Sequence, residues 1–164
     1  MFRRHHHRKR IFRRYEGSGI LFVAGGAEHP SDMLVLLASR RRSGIWTIPG
    51  GGREPGDADC WATALREVTE EFGPLPRGAA KLGHQRYPFG LLGFEWTTHV
   101  VRLSAPTEAG VFPAEGARDF PHEFREAKWF PLKAMPPRTH LLLIPVLWKL
   151  RMGWLRQSTE AAPE

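Results

Sequence analysis

One cysteine, Cys60, stands among 164 residues. That excludes an intramolecular disulfide and a structural zinc site built on cysteines, and it suits a reducing, cytoplasmic compartment. Long apolar runs are missing as well. None approaches the ~18 residues needed to cross a bilayer, so a soluble protein without a membrane partner is expected. Acidic residues are absent before Glu16, and a start so charged does not suit a secretory signal. It shares the Arg-rich, acid-poor character of transit peptides, but His5, His6 and His7 and the scarcity of serine argue against that.

What is present points to one globular domain. Arg3, Arg4, Arg8, Lys9, Arg10, Arg13 and Arg14 carry as much positive charge as the whole formal excess of +7. The remainder is balanced, so the basic character belongs to an arm, residues 1–17, ahead of a domain over 18–156 and a fraying tail over 157–164. Such an arm can neutralise phosphates and make weak contact with nucleic acid, or remain a solvated terminus. Its three histidines lie among repelling cations and make a poor metal site.

Gly19–Ala24 and Met33–Ala38 read as short apolar strands around a polar loop, a hairpin or neighbours. Ile45–Ile48 leads into Pro49-Gly50-Gly51-Gly52. Asp57 or Asp59 can cap a helix that Gly73-Pro74 stops, with Trp61, Leu65, Val68 and Phe72 forming its apolar stripe. A Gly/Pro-rich linker then precedes a strand over Phe94–Leu103. Ala105–Pro121 reads as loop and Ala127–Phe130 as a short strand. Thr139–Leu155 reads as a helix that holds Pro145 in its first turn or is kinked by it. The order implies a mixed α/β fold in layers.

The first helix carries the chemistry. Glu67 stands one turn before Glu70 and Glu71, so three carboxylates share a patch where like charges repel. Taken alone, three such glutamates make an acidic solvated face. Hard divalent cations need several oxygen ligands, which carboxylates one turn apart can supply. The preceding glycines permit close backbone approach and a sharp turn. Arg66 can orient a carboxylate through a charge-assisted hydrogen bond.

Pro49-Gly50-Gly51, Glu54-Pro55-Gly56 and Arg66-Glu67-Val68-Thr69-Glu70-Glu71-Phe72-Gly73 together resemble the box of the Nudix hydrolase family, G-x5-E-x7-R-E-U-x-E-E-x-G-U, where U is a bulky aliphatic. Trp129-Phe130-Pro131-Leu132 resembles a later family segment. The first half of the box departs from the pattern. Asp57 stands where Glu is usual, with eight residues rather than seven between it and Arg66, as if one residue were inserted. In the family that Glu buttresses the loop by pairing with the box arginine, and the shorter Asp57 is expected to do so less directly. Pro74 takes the final aliphatic position.

The resemblance implies an α/β/α sandwich around a mixed β-sheet. It implies Mg²⁺-dependent hydrolysis, with Mn²⁺ as a substitute, of a nucleoside diphosphate linked to another group. Substrates of that kind include nucleoside triphosphates, dinucleoside polyphosphates and nucleotide sugars. Glu67, Glu70, Glu71 and the carbonyl of Gly50 would hold the metal, with Arg66 as an orienting residue. Glu67 or an acid from a later loop would accept the proton. Glu123 stands where that loop acid commonly falls, with Glu115 and Glu126 as weaker candidates.

For the substrate, Arg40 and Arg42 are candidate phosphate contacts. Trp46, Tyr87, Phe89 and Trp96 are candidate base-stacking rings, each of them equally suited to a core. Two other classes compete with the hydrolase: a catalytically weak nucleotide- or metabolite-binding domain of the same fold, and an RNA-associated domain delivered by the basic arm. Trp148–Arg156 mixes apolar and basic residues. It is expected to pack on the sheet rather than meet a membrane surface or a second subunit, and either a monomer or a homodimer is compatible with it.

Overall fold

A computed structural model describes residues 14–26, 29, 32–89, 93–105 and 117–153. The basic arm before Arg14, Glu115 and the tail over 157–164 lie outside these residues. Strand β1 (Tyr15–Ala24) runs through the centre of the sheet. It is fully buried from Ile20 to Ala24, as a continuous apolar run covered on both faces must be. On one side it pairs in parallel with β6 (Phe94–Arg102), from Tyr15 opposite Phe94 to Val23 opposite Arg102. On the other, Val23 and Ala24 pair antiparallel with β2 (Leu34–Arg40).

Away from that corner the partners of the two strands change. β2 goes on to pair with β3 (Trp46–Thr47), whereas Gly17–Gly19 of β1 pair with β4 (Gly50–Gly52). The glycine loop is thereby laid against the middle of the sheet. The far edge of β2 is covered along its length by β7 (Phe124–Pro131).

Helix α1 (Cys60–Phe72) forms where expected. Asp59 caps it, accepting the Ala62 N–H at 2.8 Å, and Gly73 ends it with φ 91. Val68 and Phe72 are fully buried against Ile20, Phe22 and Val101, while Trp61 and Leu65 cover the edge of this core. Burial of each large apolar side chain there contributes about 1.5–3 kcal/mol. On the opposite face, Leu21, Val23, Val35 and Val100 meet Leu143, Val146, Leu147 and Leu150. These come from a 3-10 turn, Leu141–Leu143, and from α3 (Ile144–Arg151). Pro145 sits in the first turn of α3, where its missing N–H costs nothing. Helices on both faces of a mixed sheet make the expected α/β/α sandwich. Among the described residues no helix is long and apolar enough to cross a membrane.

Four segments differ from the sequence reading. The supposed linker contains a ten-residue strand, β5 (Ala80–Phe89), antiparallel to β6. It closes that edge of the sheet, and an edge strand has one open side that tolerates Gly83, Pro88 and several polar residues. Its composition therefore hid it. β1 and β7 begin earlier than expected, because Tyr15–Ser18 and Phe124–Glu126 lack a run of β-formers. Within the loop-like stretch a short helix, α2 (Phe120–Glu123), stands before β7.

Candidate active site

The glycine loop is fixed by contacts that only glycine permits. Gly50 has φ +151, and a Cβ there would lie 2.5 Å from the Gly19 Cα and the Ser18 carbonyl oxygen. At Gly51 a Cβ would fall 2.5 Å from the Glu67 carboxylate. The loop therefore passes directly beneath the first carboxylate of the helix.

Arg66 ties the loop to α1. Its Nε and Nη2 donate to the two oxygens of Asp57, each at 3.2 Å, and Nη2 donates to the Gly52 carbonyl at 2.8 Å. Nη1 reaches Glu70 at 3.2 Å, and Nη2 lies 3.0 Å from Glu67. Asp57 also accepts the Glu54 N–H at 2.9 Å, closing the turn. The Arg66 hydrogen bonds, with that backbone N–H, hold the Asp57 carboxyl down at about 2. The weakened buttress anticipated from the sequence is corrected by this geometry. In the lengthened loop the shorter acid meets Arg66 through both of its oxygens.

Glu71 meets a different environment. It is only 5% exposed, and its Oε2 accepts the Gly50 N–H at 2.8 Å. Burial pushes the carboxyl up to about 8; the Gly50 hydrogen bond and Arg40 oppose that rise, and Glu67 and Glu123 add to it. Glu67 is raised as well, chiefly by burial and against the pull of Arg66. Both line a cavity of about 590 Å³ with Gly50, Gly51, Arg40 and Glu123. Tyr15, Phe94 and Trp96 add aromatic lining. Tyr15 and Phe94 stack in parallel, 5.4 Å apart with 5° between their planes. Trp96 lies against Gly17 and Gly19 with its Nε1 donating to Thr98. His140 also lines the cavity, its Nδ1 accepting the Leu142 N–H at 3.3 Å.

Not every expected residue joins them. Glu70 is not in the cavity lining. It is held by Arg66 and by Arg118, at 3.2 Å each, and its carbonyl accepts the Asp119 N–H. Arg40 lines the cavity in an ion pair with Glu123, its guanidinium 5.1 Å from the Phe124 ring. Arg42 is exposed in the turn after β2, away from the lining. Two expectations are corrected. Trp46 packs edge-on against Phe130 at 4.8 Å in the α3-side core, and Tyr87 is 7% exposed, buried away from the cavity. Glu126 pairs with Lys128 on β7. The Phe89 side chain and Glu115 lie outside the described residues.

Sequence reading passed over Tyr15, Phe94, Arg118 and His140. The first two become neighbours only through the parallel pairing of β1 with β6, which no local pattern reveals.

The family model for the NUDIX domain matches residues 15–147. That span contains the whole sheet, the glycine loop, α1 and the cavity. The chain belongs to the NUDIX domain family. No curated protein matches it. Three solved structures share the fold. An Ap4A hydrolase of C. elegans is 21% identical with a TM-score of 0.54, the match covering 88% of this chain and 96% of that one. A MutT NUDIX hydrolase of Burkholderia pseudomallei is 23% identical with a TM-score of 0.53, over 82% and 95%. The Nudix hydrolase RenU of M. smegmatis is 18% identical with a TM-score of 0.56, over 92% and 89%. This chain is accordingly a Nudix hydrolase, an enzyme whose general activity is cleavage of a nucleotide pyrophosphate bond.

Nudix hydrolases generally use a divalent metal such as Mg²⁺ or Mn²⁺, and the donor chemistry here fits one. Two carboxylates with raised affinity for protons line one cavity together with Gly50 and Gly51, an arrangement that a hard cation relieves. Assembly is incomplete, however. Among the described residues no three Asp, Glu, His or Cys side chains are grouped closely enough to hold a metal ion. The position of Glu70, turned to its two arginines, accounts for the missing third carboxylate.

Proposed function

We propose that the chain hydrolyses a nucleoside diphosphate linked to another group, with Mg²⁺ held by Glu67, Glu71 and the Gly50 carbonyl, and by Glu70 once it leaves its arginines. Bound there, the ion would neutralise phosphate charge and acidify a water. The observation that carries this reading is one cavity lined both by carboxylates, the buried Glu71 with its proton affinity pushed up to about 8 and Glu67 raised as well, and by the stacked rings of Tyr15 and Phe94.

Each residue then has a task. Tyr15, Phe94 and Trp96 offer ring faces to a nucleobase, whose stacking supplies binding without sequence-like selectivity. Arg40 turns from Glu123 to a phosphate oxygen, which frees the Glu123 carboxylate inside the cavity. A free carboxylate within reach of the attacking water can take its proton. Glu67, already paired with Arg66, is the other candidate for this proton. Arg66 acts as a positioning residue, fixing Glu67 and the Gly52 carbonyl relative to the cavity.

Release of a nucleoside monophosphate from nucleoside triphosphates, dinucleoside polyphosphates, ADP-ribose and nucleotide sugars, with and without Mg²⁺, tests the reading. Turnover of at least one class, with KM raised by Trp96→Ala or Tyr15→Ala, is expected. Binding without turnover, indifferent to Glu71→Gln, would return the chain to the class of catalytically weak binding domains. Enzymatic turnover and RNA association through the arm are independent. Loss of salt-sensitive RNA affinity on deleting residues 1–14 would report the second.

A further inference from the structure

Helix α3 packs one face into the core and, among the described residues, leaves the other without a partner. Leu143, Val146, Leu147 and Leu150 are buried. Along the opposite side Leu141, Ile144, Trp148 and Met152 are 78%, 51%, 61% and 65% exposed. Their spacing puts Ile144, Trp148 and Met152 on one stripe of the helix, with Leu141 continuing it in the preceding turn. A surface helix that only needs to cover a core carries polar residues on this side. Here an unbroken row of large apolar groups includes a tryptophan.

Along the sequence, the charge on either side of the stripe is of one sign. Between Glu126 and Glu160 the chain contains no acidic residue, while Lys128, Lys133, Arg138, Lys149, Arg151 and Arg156 are basic. Lys133, Arg138 and Arg151 are exposed. A second copy meeting this face would set these cations against one another. Four side chains also fall well short of the ~800 Å² per partner of a stable protein interface. The stripe lies along the outer face of a helix rather than in a groove, so it suits a planar fluid surface better than a peptide.

We infer that this face of α3 seats the enzyme on an anionic lipid surface. Leu141, Ile144, Trp148 and Met152 enter the headgroup boundary, and the flanking Lys and Arg side chains reach lipid phosphates and carboxylates. Tryptophan is the residue whose ring settles at that depth. One weak apolar patch gives reversible attachment, and the seven basic residues before Glu16 supply a second electrostatic signal. The cavity opens beside this face, since His140, Leu142 and Leu143 line it. Attachment therefore sets the active site close to the lipid headgroups.

Sedimentation of the full chain with vesicles of phosphatidylcholine alone, or of phosphatidylcholine mixed with phosphatidylserine, tests this. Binding to the mixed vesicles should exceed binding to the neutral ones. It should fall about tenfold in Trp148→Ser and again in Leu141→Ser, as expected for removing one inserted apolar side chain at a time. Both positions are exposed, so circular dichroism should remain that of the parent. Failure of the parent to sediment with mixed vesicles overturns the inference. So does undiminished binding of both variants, which would assign the attachment to the basic arm alone. A concentration-dependent dimer of the parent, abolished by Trp148→Ser, would assign the face to a second copy and likewise overturn it.

Discussion

Asp57 and Glu71 are carboxylates at opposite ends of the same segment, one in the loop before α1 and one in its last turn. Asp57 is gripped by a guanidinium through both oxygens and by a backbone N–H, and its proton is bound well below the usual carboxylate range. Glu71 is buried with a single backbone N–H on Oε2, near two further carboxylates, and its proton is bound well above that range. The first arrangement is complete in itself and holds the loop shut. The second crowds carboxylates in a buried place, where a hard cation would stabilise them. One segment thus keeps a satisfied structural pair beside a carboxylate cluster of perturbed proton affinity, and such a cluster is where chemistry belongs.

If that contrast is correct, neutralising the two groups should have very different consequences for turnover. Glu71→Gln and Glu67→Gln should lower release of the nucleoside monophosphate by on the order of 10²–10³-fold. Asp57→Asn should cost less than about tenfold, as read from initial rates on the best substrate.

Stability should move in the opposite sense. A folded pKa above the unfolded value means that stability is present below that unfolded value and is lost as pH rises. Metal-free protein should therefore weaken between the ordinary value of 4.5 and about 8 because of Glu71. At neutral pH, Glu71→Gln should be more stable than its parent by about 3 kcal/mol in urea unfolding without metal. The gain should vanish below the lower limit of that window.

Arg66 links the two regions, and Arg66→Met should loosen both. Turnover should fall about tenfold through misplacement of Glu67, with a lowered melting temperature because Asp57 and the Gly52 carbonyl lose their donor. Arg66→Lys should not restore it, since one ammonium cannot hold both Asp57 oxygens. The smallest effect lies at the acid end. Asp57 is depressed in the folded state, so its contribution is present above 3.8 and is lost as pH falls toward about 2. Asp57→Asn should flatten that limb of the stability–pH profile.

Much of this was legible before the fold was known. The helix was plain because its apolar stripe, its Asp cap and its Gly stop agree with one another, and agreement across levels is what local sequence can convey. The glycine loop and Glu67, Glu70 and Glu71 were equally plain. The direction of Glu70 was not, because Arg118 arrives from a distant loop. The Asp57 clamp was misjudged because side-chain length was weighed without the extra loop residue that brings the acid to Arg66. Strand β5 escaped notice because an edge strand needs neither alternation nor freedom from proline. Trp46 and Tyr87 were expected to bind substrate, yet both lie in or against packed cores. Aromatic content cannot tell a cavity lining from core filling, and the stacked pair that lines the cavity rests on the pairing of β1 with β6.

Titration of Mg²⁺ into metal-free protein at neutral pH, in two buffers of different ionisation heat, tests the central claim most directly. The account predicts binding accompanied by release of about one proton per ion as Glu71 gives up its own, with both binding and release lost in Glu71→Gln. Equal affinity in that variant, or binding with no proton released, would contradict it.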